Sequence, residues 1–257
     1  MMASAPHMMD HAAPMPPPQR SGAAANDARY HAYRQRLETY FDKTAAKAWT
    51  DLTSDAPVSR IRATVRAGRD AMRSTLIEWL PVNLHGRRVL DAGCGTGALA
   101  VEAARRGAHV VAIDVSAALI EVARTRRPTD LRGGSIDFHV GDMLNPDLGA
   151  FDHVVAMDSL IHYPADDIAA VLAALAPRVR GSMVFTHAPR TTMLLAMQAA
   201  GKLFPRGDRS PAIIPVDEQR LLRSIGAHEA MTAWRRGREH LVSTSFYKSR
   251  AMELIRG

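Results

Sequence analysis

The stretch VLDAGCGTGALA, residues 89–100, constrains this chain more than any other part of it. A short apolar run ends in Asp91, and Gly93, Gly95 and Gly97 follow at alternate positions before an alanine-rich helical pattern begins. Apolar strand, glycine turn and helix in that order make the opening unit of a parallel α/β sheet, in which the turn lets backbone approach a ligand closely. The rest of the chain repeats the texture. Val/Ile-rich runs recur at RRVLDAG, HVVAIDV, IDFHVGD, DHVVAMDS and GSMVFTHA, and helical patterns at 97–106, 116–126 and 164–176 separate them. Strands alternating with helices predict an α/β fold, a parallel sheet with helices on both faces. The tail HEAMTAWRRGREHLVSTSFYKSRAMELIRG predicts two antiparallel strands joined near Arg236–Glu239, preceded by a short helix near 216–225. A parallel sheet closed by a late hairpin is unusual for a simple dinucleotide-binding domain.

Ahead of the sheet, two helices are expected in 29–82. The first, 29–50, carries Tyr30, Tyr33, Leu37, Tyr40, Phe41 and Trp49 on one face. The second starts at Pro57 or Val58, turns Ile61, Val65, Met72, Leu76 and Trp79 inward, and stops at Pro81. Residues 1–28 are Ala, Pro and Met with polar fillers, without the periodicity that offsets ordering entropy, so a disordered tail is expected. They lack the basic start and unbroken apolar stretch of a signal peptide. The domain proper is expected over 83–257, with an insertion at 190–215 whose first half, 190–203, reads as helical. No apolar run is long enough for a transmembrane helix. The single cysteine, Cys94, allows no disulfide within the chain, which fits a reducing cytoplasmic setting. The formal charge of +7 suits nucleic acid, an anionic membrane surface or an acidic substrate, and equally a plain Ala- and Arg-rich surface. No basic block is interleaved with aromatics, so no nucleic-acid partner is expected. No metal site is expected either.

The spacing G-x-G-x-G departs from the dinucleotide pattern G-x-G-x-x-G. A carboxylate at Asp91 would repel a pyrophosphate, yet it suits a ligand carrying an ammonium and a sulfonium. Seventeen residues past Gly97, Asp114 ends the second strand, placed to accept both ribose hydroxyls. Asp142 ends the third, placed to accept from an adenine amino group. Three strand-end aspartates converge on the carboxyl edge of the sheet. These motifs resemble class I S-adenosylmethionine-dependent methyltransferases, which implies their Rossmann-like fold and S-adenosylmethionine as co-substrate. Cys94, Val115, Met143 and Asp158 complete the expected cofactor contacts. Arg66, in TVRAGRD, is expected at the methionine carboxylate, although Arg62 and Arg69 share its helix.

For the acceptor, MDSLIHYP follows the fourth strand where base-methylating enzymes often carry Asn/Asp-Pro-Pro-Tyr/Phe, which disfavours methylation of base amino groups. Helix 29–50 and insertion 190–215 are expected to cover the crevice. Tyr40, Phe41, Trp49, Met193, Leu194, Met197, Leu203 and Phe204 would form an apolar lining, with Arg190, Arg206 and Arg209 near carboxylates. Ordinary helix packing explains the same spacings.

The stretch YFDKTAAKAWTDLTSDAPVSRIRATVRAGRD, with VLDAGCGTGALA, DSLIHYP and the ending FYKSRAMELIRG, resembles the magnesium-protoporphyrin IX O-methyltransferase family of bacteriochlorophyll synthesis. Relatives often carry Gly-Phe-x-Arg-Trp after the Tyr-Phe pair. Here the place reads AAKAW, and only Trp49 remains, which puts one lid contact in question. The resemblance implies methyl transfer to a propionate of magnesium protoporphyrin IX, with Tyr40 and His162 nearest the chemistry. It also implies handover from a magnesium chelatase subunit and peripheral contact with the photosynthetic membrane. A methyltransferase of another hydrophobic acceptor, such as a quinone precursor, and a non-catalytic porphyrin carrier are the competing readings.

Overall fold

The computed structural model describes residues 59–191 and 213–257, together with Tyr30, Ala32, Arg34, Gln35, 38–40, Asp42 and Thr53. The tail 1–28, most of the aromatic helix including Phe41 and Trp49, and the insertion residues Met193, Leu194, Met197, Leu203, Phe204, Arg206 and Arg209 lie outside them. The described residues 30, 32, 34, 35 and 38–40 are helical, as the aromatic periodicity predicts.

Helix α1 (Arg60–Trp79) is capped by Ser59, whose side chain accepts from the Arg62 amide at 3.4 Å. It stops where Leu80 turns extended ahead of Pro81, because proline clashes with a helical residue before it. Gly68, Met72, Leu76 and Ile77 are its buried residues. Ile61, expected inward, is 54% exposed, since the first turn of α1 projects past the sheet packing that begins at Val65. The sheet units follow: β1 (Arg88–Ala92), α2 (Ala98–Arg105), β2 (His109–Asp114), α3 (Ala117–Arg126), β3 (Ser135–Val140), β4 (Phe151–Ala156), α4 (Ala165–Leu175) and β5 (Val179–His187). Helix α5 (Glu218–Gly226) and strands β6 (Trp234–Ser243) and β7 (Lys248–Arg256) complete the chain.

The seven strands lie in the order β3-β2-β1-β4-β5-β7-β6. The first five are mutually parallel, and β7 runs antiparallel to both β5 and β6. The central strands bury nearly every residue, as strands covered on both faces must. One apolar layer joins α1 and α2 to the sheet through Met72, Leu76, Leu99 and Ala103. The other joins α4 and α5 through Ile168, Leu172, Leu221 and Ile225. Each of these buried Met, Leu and Ile side chains is worth about 1.5–3 kcal/mol. The chain leaves β1 toward β2 on one side and returns to β4 on the other, so a crevice opens at the carboxyl ends of β1 and β4.

The terminal hairpin corrects the expected turn. The connection is 244–247, where the Thr244 amide donates to the Tyr247 carbonyl at 2.7 Å. Arg236–Glu239 is instead a register shift inside β6. Gly237 marks this bulge because a side chain there would collide with Glu253, its Cβ standing 2.5 Å from Oε2. The bulge aims Arg238 at Glu253, with Nε 2.8 Å from Oε2. Glycine signals a break in regular pairing, and a bulge satisfies that signal as well as a turn does.

Candidate active site

A cavity of about 290 Å³ fills the crevice at the strand ends. Arg66, Asp91, Gly93, Cys94, Gly95, Asp114, Val115, Met143, Asp158 and His162 all line it. Its floor is the glycine turn. Gly93, Gly95 and Gly97 have φ of 78°, 54° and 78°, the left-handed region where a Cβ is penalised. Gly93 has a second reason to be glycine: a Cβ there would stand 2.3 Å from the Cβ of Ser159. Gly97 caps α2 and faces the Phe138 ring rather than the cavity.

The amides of this turn are already committed inside the protein. Those of Gly93 and Cys94 donate to the Ile113 carbonyl at 2.8 and 3.0 Å, and that of Gly97 to the Cys94 carbonyl at 3.0 Å. The Gly95 amide donates to Asp114 Oδ2 at 2.9 Å. A phosphate cradle needs such donors unengaged, so these four cannot hold a pyrophosphate as they stand. The charge of the site points the same way. Asp91 is 1% exposed and its Oδ2 has no hydrogen-bond partner among the described residues. Burial first, then the neighbouring Asp114 carboxylate, pushes its pKa up to about 7, against the pull of the Ala100 amide. A buried carboxylate with an unsatisfied oxygen is a receptor for a cationic donor such as an ammonium. Asp114 is also buried, and burial raises its pKa although the Ser116 and Gly95 amides favour the anion. The Cys94 thiol is pushed well up by burial and by both aspartates, so it is an inert wall and not a nucleophile.

Two expected cofactor contacts sit differently. Asp142 Oδ1 accepts from the Tyr30 hydroxyl at 2.7 Å and from the Leu144 amide at 2.9 Å, and Oδ2 pairs with Arg34 at 3.4 Å. Its neighbours Gly141 and Met143 line the cavity instead. Asp158 does line it, but both its oxygens accept from protein donors, Arg69 at 2.6 Å and Tyr247 at 3.0 Å among them. Tyr40 is helical and half-buried, and stands outside the described lining residues. His162 ends a short 3-10 turn, Leu160–His162, and is 9% exposed.

Arg69, weighed beside Arg66 in the sequence, lines the cavity with it, and sequence reading missed several further residues. Asp70 and Arg73 come from the same helix α1, and Ser159 and Tyr163 flank His162. TVRAGRD carried a signal for the first group, since residues three apart share a helix face. Tyr30 stacks on Tyr163 with ring centroids 5.6 Å apart, and Asp42 accepts from the Ser116 hydroxyl at 2.6 Å. These contacts join the N-terminal segment to residues more than seventy positions away, beyond any local pattern.

Comparison with known proteins matches this arrangement. Residues 89–180 match a family model described as a methyltransferase domain, and residues 156–256 match the magnesium-protoporphyrin IX methyltransferase C-terminus. Over 198 residues the chain is 54% identical to the magnesium-protoporphyrin O-methyltransferase of Rhodobacter capsulatus, covering 77% of this chain and 88% of that one. This chain belongs to the magnesium-protoporphyrin O-methyltransferase family. It is also 29% identical over 226 residues to the chloroplastic magnesium protoporphyrin IX methyltransferase of Arabidopsis thaliana, across 86% of this chain and 71% of that one. Among solved structures it resembles the magnesium protoporphyrin IX methyltransferase of Synechocystis PCC 6803 with bound SAH, at 28% identity and a TM-score of 0.76. That match covers 88% of this chain and all of the other. The seven-stranded sheet and the match to a solved methyltransferase of this family agree, so the α/β class I methyltransferase fold expected from the sequence is the fold observed.

Proposed function

We propose that this chain transfers a methyl group from S-adenosylmethionine to a propionate carboxylate of magnesium protoporphyrin IX, giving the monomethyl ester. The observation that carries the reading is the 54% identity to the named R. capsulatus enzyme across 88% of its length. The site chemistry supports the donor. The unpartnered, buried Asp91 oxygen would accept from its ammonium, and Asp114 from its ribose hydroxyls. Arg66 would meet its methionine carboxylate, while Gly93, Cys94, Gly95, Val115 and Met143 form the walls.

Bound S-adenosylmethionine supplies a methyl group made electrophilic by a sulfonium, with no metal or base involved in its activation. The acceptor carboxylate is ionised at neutral pH, since its pKa is about 4.3 by analogy with Glu, so no proton has to be removed to make the nucleophile. The work left to the chain is to strip water from that carboxylate and hold it at the correct angle. His162, at the cavity wall, would donate a hydrogen bond that sets this angle. Tyr40 would close the same region from the N-terminal segment. Too strong a hold by either would blunt the nucleophile, so orientation is the larger part of their role.

The proposal extends to the surroundings of the enzyme. No helix among the described residues is long and apolar enough to cross a membrane. A cytoplasmic enzyme meeting the membrane only at its surface fits the +7 charge and a flat apolar acceptor bearing two carboxylates. Because the acceptor already holds magnesium, magnesium insertion comes first, and direct handover from a chelatase subunit is part of the proposal. An absorbance titration tests acceptor binding: magnesium protoporphyrin at micromolar concentration should show a saturable spectral shift with the protein. No shift would favour a different hydrophobic acceptor.

A further inference from the structure

One buried group does more than line the cavity. Asp158 follows β4 with φ of +52°, a left-handed backbone that residues with a Cβ rarely adopt outside Asn and Asp. Four side chains, from α1, β5 and the C-terminal hairpin, converge on its carboxylate. Arg69 of α1 donates to Oδ2 at 2.6 Å. The Tyr247 hydroxyl, from the β6–β7 turn, reaches Oδ1 and Oδ2 at 3.0 and 3.1 Å. Ser249 of β7 donates to Oδ1 at 3.2 Å, and Thr186 of β5 at 3.3 Å. The Asp158 amide donates in turn to the Thr186 hydroxyl at 2.7 Å. Tyr247 is 8% exposed, and its ring lies so close to α1 that a Cβ on Gly68 would stand 2.6 Å from it. Glycine inside a helix is unfavourable for backbone entropy, and here it admits that ring.

The consequence lies one residue on. The left-handed turn at Asp158 sends Ser159 against Gly93 and leads directly into the turn that ends at His162. We infer that Asp158, clamped by Tyr247 and Arg69, is a positioning residue that aims His162 at the acceptor carboxylate, so that the C-terminal hairpin takes part in setting the reaction geometry. The inference rests on the role proposed above for His162. The carboxylate oxygens are occupied by the clamp, so Asp158 works through the backbone of 158–162 and not by contact with the reacting atoms. Removing the Tyr247 hydroxyl takes away the one donor that the two oxygens share, while leaving Arg69, Ser249 and Thr186 in place. The clamp then loosens without an uncompensated charge, and only the aim of the turn suffers.

A double-mutant cycle separates positioning from simple support. Turnover and S-adenosylhomocysteine affinity are measured for wild type, Tyr247→Phe, His162→Ala and the double variant, with circular dichroism confirming the fold of each. Tyr247→Phe should lower kcat about tenfold, as a small misplacement of a positioned group does, and leave the affinity within about twofold. In the His162→Ala background the same change should lower kcat less than about twofold, because the group it aims is gone. An equal tenfold loss in both backgrounds, or no loss in either, would overturn the inference. If His162→Ala alone leaves kcat unchanged, the His162 reading itself fails and takes the inference with it, a result distinct from the others. Ser249→Ala, which removes a weaker donor, serves the same cycle if Tyr247→Phe does not fold.

Discussion

Replacing Asp91 with asparagine isolates what the strand-end carboxylate does for binding from what it does to stability. In the folded protein its pKa is pushed from 3.8 up to about 7 by burial and by Asp114. The unfolded chain therefore loses this proton near pH 3.8 and the folded chain only near 7, so stability falls as pH rises between those values. At about 1.36 kcal/mol per pH unit, the full penalty above pH 7 is about 4 kcal/mol, an upper estimate for a buried group. Asparagine keeps the shape and cannot ionise. Asp91→Asn should thus be more stable than wild type at pH 8 by up to about 4 kcal/mol, a gain of roughly 10 °C in Tm for a domain this size. At pH 5 the gain should shrink below about 2 kcal/mol. Binding should move the other way. With a cationic ammonium held by the Asp91 anion, wild-type affinity for S-adenosylhomocysteine should tighten roughly fivefold between pH 6 and 7. The variant should bind at least about tenfold more weakly, with no such dependence on pH. Differential scanning calorimetry at the two pH values and titration calorimetry with S-adenosylhomocysteine read both effects. An asparagine variant no more stable at pH 8 and binding as tightly as wild type would refute the reasoning.

Other substitutions probe the remaining parts of the site. Asp114→Ala should weaken S-adenosylhomocysteine affinity at least about tenfold while turnover at saturating donor falls much less, and unchanged affinity by calorimetry would remove the ribose assignment. Gly93→Ala forces a Cβ to within 2.3 Å of Ser159 at a φ of +78°, so it should cost about 2 kcal/mol or more in thermal unfolding and damage donor binding and turnover together. His162→Ala and Tyr40→Phe should each lower kcat, the first about a hundredfold, with donor affinity held within several-fold; near-normal turnover in both would take them out of the site.

The parallel sheet and the cavity residues at its strand ends were legible because both are written locally. VLDAGCGTGALA is one contiguous strand, turn and helix, and Asp91, Gly93, Gly95 and Asp114 fall at the cavity because the strand ends coincide once the sheet forms. What depends on distant partners was hidden. Asp142 and Asp158 look alike as strand-end aspartates, yet Tyr30 and Arg34 occupy one and Tyr247, 89 residues away, grips the other. The hairpin turn was misplaced for a related reason. Gly237 announced an irregularity, and only Glu253 on the neighbouring strand makes it a bulge. The acceptor was legible through family likeness alone, since its expected lid at Phe41, Trp49 and 193–209 falls outside the described residues.

The most direct test of the function is a methyl-transfer assay with methyl-labelled S-adenosylmethionine and magnesium protoporphyrin IX, followed by chromatography of the porphyrin. The account predicts label in a single monomethyl ester, released by mild alkaline hydrolysis, with S-adenosylhomocysteine formed in equal amount. No labelled porphyrin from folded protein that binds S-adenosylhomocysteine, alongside methylation of a quinone precursor under the same conditions, would contradict it.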